Sequence, residues 1–246
     1  MKKPTKKRWT ITSDKFLSLE QVEQLNAHLL NRRDLAIARA TDTQSIRDYY
    51  AVRTILESGL RVFEFCDLTN ADFNGLKLAV RHGKGDKART VLLTRSTANM
   101  LKEWQVVKAK LGHDLTPTAP LFPSRYGTAY TTRGVQKRVK LIFAALSFPA
   151  HLSVHSLRHT YCSLLLASGK VGLGTVRDNL GHHSIAVTNL YSHAIGDLSA
   201  VELYPASSSE KTEFSELPTK GRCKKPSNSV SAFLRNTNFK TGGPND

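Results

Sequence analysis

Cysteine is scarce in this chain of 246 residues: Cys66, Cys162 and Cys223 form an odd, widely spaced set. That argues against a disulfide framework and leaves each thiol a buried or merely tolerated side chain. Long apolar runs are also lacking. None approaches the ~20 residues that cross a bilayer, and the lysine-rich start, Met1 to Trp9, lacks the apolar stretch of a signal peptide. A soluble, cytoplasmic protein is expected. Acidic residues are few, 20 Asp+Glu against 36 Lys+Arg, which gives a formal charge of +16. A surface of that sign expects polyanions as partners. A basic amphipathic helix with an aromatic face is missing, which disfavours an anionic membrane surface. What is present is an apolar content of 40%, enough for a globular core in one substantial domain or two small ones.

Residues 1–14 are basic and polar without an apolar period, and read as a flexible arm. Ser18-Leu19-Glu20-Gln21 has the form of a capping box and opens a helix with Val22, Leu25, Leu29 and Leu30 on its apolar side. Asp42 to Ser58 reads as a second helix, stopped by Gly59, and Val62 to Leu68 as a short third one. The period then changes. Leu78–His82 and Arg89–Leu93 are β-prone, and Gly83-Lys84-Gly85-Asp86-Lys87 between them predicts a hairpin with Lys84 near its tip. Helical patterns return at Ser96–Leu111, Thr132–Leu146, Val154–Ala167 and Ser184–Tyr191. The expected fold class is mainly α with a small antiparallel β-sheet (α+β), in a domain over residues 15–204. The polar, proline- and glycine-containing stretch 205–246 reads as a disordered tail.

The richest segment runs from Val154 to Tyr191 and contains His155-Ser156-Leu157-Arg158-His159-Thr160 and Leu180-Gly181-His182. A histidine and an arginine three apart on a helix share a face and can address one anionic group. Singly, each feature has a bland reading: Tyr191 as a half-buried core tyrosine, Gly-Lys-Gly as a solvated turn. His155, His159 and Cys162 have ligand-like spacing, but no second Cys/His pair at such spacing accompanies them, so no metal is expected. The order of the residues changes the argument. Arg61 after Ser58-Gly59-Leu60, Lys84 in a β-turn, His155 and Arg158 on one helix, His182 after Leu180-Gly181, and Tyr191 on the next helix form a series. It resembles the active-site series of the tyrosine recombinases, the phage integrase and Xer family. The likeness spans roughly residues 16 to 204 and is most specific from Leu180 to His193.

The resemblance implies the tyrosine recombinase catalytic-domain fold and an enzyme that cuts and rejoins DNA at specific sites through a 3'-phosphotyrosyl intermediate. It assigns Tyr191 as the nucleophile. Arg61 and Arg158 would bind the nonbridging phosphate oxygens, a role suited to planar guanidiniums that stay charged. Lys84 is the candidate general acid for the departing 5'-oxygen, with Lys87 and Lys77 as alternatives. His155 and His182 share the tasks of taking the tyrosine proton and bonding the phosphate, and which of them is the base stays open. Glu64, one turn after Arg61, either orients the site or is a solvated surface residue. With positive side chains supplying the electrostatics, no cofactor is required.

Typical members carry a helical DNA-binding domain ahead of the catalytic one. Here Phe16 to Glu20 already resembles the opening of the catalytic domain, so the chain resembles the short, catalytic-domain-only members such as the fimbrial phase-variation recombinases. The expected partner is double-stranded DNA, gripped partly through Lys2, Lys3, Lys6, Lys7 and Arg8 on phosphates. A homotetramer on synapsed sites is implied, with accessory DNA-binding proteins as possible helpers and a nucleoid-associated place in the cytoplasm. Ile195 to Leu203 is the candidate for a helix exchanged between neighbours. Two other functions compete with this one: a type IB topoisomerase that relaxes one duplex, and a non-catalytic DNA-binding regulator with the same fold.

Overall fold

Ser18 opens the first helix through reciprocal bonds with Gln21. Its hydroxyl accepts from the Gln21 backbone N–H at 3.2 Å, and its own N–H donates to Gln21 Oε1 at 3.0 Å. The helix so capped, α1 (Leu19–Arg39), is followed by α2 (Thr43–Ser58), α3 (Val62–Asp67), strands β1 (Phe73–Asn74), β2 (Lys77–Val80) and β3 (Arg89–Leu92), and helices α4 (Arg95–Lys110), α5 (Thr132–Ala145), α6 (Val154–Ala167) and α7 (Leu173–Leu180). This computed structural model describes residues 13–39, 42–83, 87–169 and 172–181. No helix among them is long and apolar enough to cross a membrane. The basic arm, the Lys84 tip, the Ser184–Tyr191 pattern, the Ile195–Leu203 segment and the tail lie wholly or mostly outside the described residues.

Helix α2 is the centre of the domain, packed against α1, α4 and α6. Asp42 caps its start by accepting from the backbone N–H groups of Gln44 and Ser45. Most of its length is buried, including Tyr50, Ile55 and Leu56. On α1 the buried stripe is Val22, Leu25, Leu29 and Ala36. Leu30, expected on that stripe, is instead 42% exposed, because the ~100° step from Leu29 carries it off the core-facing side.

The sheet has three antiparallel strands in the order β1-β2-β3, one more than the expected hairpin. The added strand is two residues long and turns through Gly75 into β2, with Phe73 opposite Leu78. In β2 and β3, Leu78, Val80 and Val91 face inward, and the register pairs Leu78 with Val91 and Val80 with Arg89. Arg89 therefore shares the inward face of β3 with Val91. Helix α7 has no counterpart among the expected helices. It packs on β3 and α6, and it supplies the second wall of the site described below.

Gly59 joins the core to that site. It ends α2 in the left-handed conformation, with φ 63°, and a β-carbon placed there would stand 2.3 Å from Tyr161 Cδ1 on α6. Substitution therefore meets both the strain of a left-handed L-residue and an overpacked neighbour. Gly59→Ala is expected to lower the unfolding free energy by about 3 kcal/mol, combining those two costs. Urea denaturation checks this, and an unchanged midpoint would contradict the account.

Candidate active site

The chain leaves α2 through Gly59 and buried Leu60, so that Arg61 becomes the N-cap of α3. Three residues on, Glu64 turns its carboxylate back. Oε2 accepts from the Arg61 backbone N–H at 2.8 Å, and Oε1 accepts from Arg61 Nη1 at 2.9 Å. An acidic side chain at this point satisfies an orphan donor and complements the positive end of the helix. The Glu64 side chain is fully buried, which removes the solvated-surface alternative. Its charge is met a second time by Arg89 from β3, whose Nη1 and Nη2 donate to Oε1 and Oε2 at 2.7 and 2.8 Å. Burial alone would raise the Glu64 pKa. The bonds and charge of Arg89, followed by those of Arg61, outweigh it and hold the carboxyl below its ordinary range.

Arg158 comes from α6, whose start is fixed by the Ser153 N–H donating to Ser156 Oγ at 3.1 Å. Its guanidinium is buried and bridges the ends of α2 and α7. Nη1 donates to the carbonyl of Gly59, and Nη2 to that of Leu180 at 2.6 Å. His155, three residues earlier on the same helix, is exposed to solvent. His159 is half-buried. Burial, and then the charges of Arg158, His155 and Lys15, push its pKa down to about 4, so it is neutral at pH 7. Cys162 is buried on the same helix, and desolvation pushes its thiol up to about 12.

The C-terminal end of α7 is where these groups meet. The last carbonyls of a helix have no partner within it and carry the negative end of its dipole. Here three consecutive ones face three arginines: Asn179 O accepts from Arg89 Nε at 2.9 Å, Leu180 O from Arg158 Nη2, and Gly181 O from Arg61 Nη2 at 3.4 Å. The Asn179 side chain continues the sheet edge. Its Oδ1 accepts from Leu92 N–H at 3.1 Å, and its Nδ2 donates to Leu92 O at 3.4 Å and to the Tyr161 hydroxyl at 3.1 Å. Gly181, the left-handed cap of α7, precedes His182 directly.

Of the expected site residues, Arg61, Glu64 and Arg158 are thus gathered around Gly59 and Leu180-Gly181, with His155 on the solvent side of the first turn of α6. Lys84, His182 and Tyr191 lie outside the described residues, as do Lys2, Lys3, Lys6, Lys7 and Arg8. Lys77 and Lys87, the alternatives to Lys84, are both exposed. Gly83 donates its N–H to Lys87 O at 3.2 Å, which holds together the two described residues on either side of 84–86. Sequence reasoning missed Arg89 and Asn179. The signal for Arg89 was available: an arginine two residues from Val91 in a β-prone run occupies a core-facing position, and such a charge needs a buried partner. Three guanidiniums against one carboxylate leave the site net positive and suited to a phosphodiester.

Comparison with known proteins gives the family and the fold. Residues 15–196 match the phage integrase family. The tyrosine recombinase XerC of Vibrio cholerae serotype O1 is 33% identical over 153 residues, which cover 62% of this chain and 48% of that protein. The XerC of Rhizobium meliloti is 30% identical over 195 residues, 76% of this chain and 59% of its own length. The chain thus spans about half the length of these relatives. Among solved structures, the crystal structure of XerA recombinase superposes over 78% of this chain and 62% of that one, with a TM-score of 0.58 and 22% identity. The XerH site-specific recombinase in its post-cleavage complex with palindromic difH superposes over 72% and 49%, with a TM-score of 0.58 and 24% identity.

Proposed function

The chain belongs to the phage integrase family, and from that premise we propose that it is a site-specific DNA recombinase, cutting and rejoining strands through a 3'-phosphotyrosyl intermediate. The observation that carries this reading is the convergence of Arg61 and Arg158 on the segment that ends at Gly181, next to His182. Two guanidiniums held against carbonyls of one helix end are pre-oriented, so little reorganisation accompanies the build-up of charge on a phosphate. Arg61 spends one donor on Glu64 and one on Gly181, out of the five that a guanidinium carries.

In this reading the Tyr191 hydroxyl oxygen attacks the scissile phosphorus and its proton passes to a histidine, His155 or His182. The bond from phosphorus to the 5'-oxygen breaks, and Lys84 delivers a proton to that oxygen as it leaves as a hydroxyl. Arg61 and Arg158 bind the nonbridging oxygens throughout. The new phosphodiester to tyrosine keeps the energy of the broken one. Attack by another strand's 5'-hydroxyl reverses the step without a nucleotide cofactor. The partners of this reaction are double-stranded DNA and further copies of the chain, four on two synapsed sites, with accessory DNA-binding proteins adding grip. The protein would work on the nucleoid. The relatives named above are recombinases, which favours neither the topoisomerase nor the regulator alternative. Covalent capture on nicked DNA tests the enzyme reading, and relaxation of a plasmid without any recombination site would instead favour the topoisomerase.

The basic arm adds a phosphate contact to this scheme. Each phosphate neutralised contributes about −0.9 to the slope of log affinity against log salt, so deleting residues 2–8, with their five cations, is expected to reduce the magnitude of that slope by up to about 4.5. Duplex binding titrated at several salt concentrations measures it. An unchanged slope would remove the arm from the DNA-binding surface.

A further inference from the structure

We propose that Arg89 is a positioning residue for strand cleavage, acting through Glu64 on Arg61, an inference that rests on the recombinase reading. Its side chain is 11% exposed and bonds both the start of α3, through Glu64, and the end of α7, through Asn179. Its fork holds both oxygens of Glu64, and its Nε holds Asn179 O at the end of α7. A β-carbon added to Gly181 would lie 3.0 Å from Arg89 Cδ, and one added to Gly83 would lie 3.4 Å from Arg89 Nη1. One guanidinium thus ties the end of α7 to the carboxylate that orients Arg61, with Gly181 and Gly83 close beside it.

Sharing the charge of Glu64 is the reason the connection matters. A fully buried carboxylate with a single cationic neighbour draws that cation fully onto itself, because no water competes. With Arg89 absent, Arg61 is the only cation described against Glu64, and it would close onto both carboxylate oxygens and turn from the phosphate position. With Arg89 present, Arg61 bonds one oxygen through Nη1 and directs Nη2 to the Gly181 carbonyl. Arg89 does not need to touch the DNA for this effect.

The test is a rescue. The probe is a nicked half-site duplex with a randomised arm, from which the sequence that the wild-type protein captures covalently is recovered and then used for all variants. Arg89→Gln is expected to lower single-turnover cleavage at saturating protein by about 100-fold while duplex affinity stays within about threefold. Adding Glu64→Gln removes the carboxylate that recaptures Arg61, and should raise cleavage by about fivefold or more above Arg89→Gln alone. Arg89→Lys keeps a second cation against Glu64 but cannot fork across it and reach Asn179 together, so its rate should fall between those of the wild type and Arg89→Gln. It also carries the test if Arg89→Gln does not fold. A residue that only stabilised the domain would give no rescue on loss of a second buried group. Wild-type cleavage by the folded Arg89 variants, or a double variant as slow as the product of the two single effects, overturns the inference. A wild-type protein that captures no DNA overturns the recombinase reading itself.

Discussion

Tyr191→Phe is expected to bind its DNA with unchanged affinity and to form no covalent adduct, a loss of roughly 10⁴-fold or more in cleavage rate. The substitution removes one oxygen atom. Nothing else in the proposed reaction can replace that atom, because the phosphorus must gain a bond before the 5'-oxygen leaves. In the proposed reaction the remaining groups bind and polarise the phosphodiester, with Arg61 and Arg158 on its oxygens. They are untouched by the change, so affinity should hold. Duplex binding by gel shift, alongside denaturing electrophoresis of protein trapped on a nicked substrate, separates the two quantities. An adduct formed by the Phe variant would mean that another nucleophile carries the chemistry.

Arg158→Lys is the second large effect, and the structure gives it two separable parts. The guanidinium reaches the carbonyls of Gly59 and Leu180 at once, joining the end of α2 to the end of α7. A lysine ammonium cannot span both, so one buried carbonyl loses its partner. That should lower stability by about 1–3 kcal/mol. Cleavage is expected to fall further than stability alone explains, by about 100- to 1000-fold, because a planar donor aimed at the developing charge is lost. Assay below the variant's melting transition keeps the parts distinct. Near-wild-type cleavage from a folded Arg158→Lys protein would argue against bidentate clamping of the phosphate.

Much of the scaffold was legible because it follows local rules. The box formed by Ser18 and Gln21, the Asp42 cap, the Gly59 stop and the alternation through Leu78, Val80 and Val91 all sit within a few residues of their cause. The two-residue strand β1 and α7 were not legible. Helix α7 begins with Gly172, Leu173, Gly174 and Thr175, three of them poor helix formers, and its stability comes from packing Val176 and Leu180 against α6 and bonding Asn179 to β3. The site divides the same way. Arg61, Glu64 and Arg158, singled out through the family resemblance, are brought close together by the fold. That Glu64 is buried was not legible, because its burial depends on Arg89, a residue 25 positions away. His155 and Arg158 have the spacing of one helical face, yet one is exposed and the other buried, since the ends of α2 and α7 close over Arg158 and leave His155 open to solvent. Spacing gives direction along a helix; depth is set by what packs against it.

The central claim, a tyrosine that becomes bonded to DNA, is tested most directly by mapping the bond. The wild-type protein is incubated with the nicked half-site pool, the covalent product is purified under denaturing conditions, and the modified peptide is sequenced by mass spectrometry. The account predicts a single linkage, from the Tyr191 oxygen to a 3'-phosphate, with a free 5'-hydroxyl on the released strand. A linkage to another residue, a 5'-phosphate linkage, or no covalent product from the pool would contradict it.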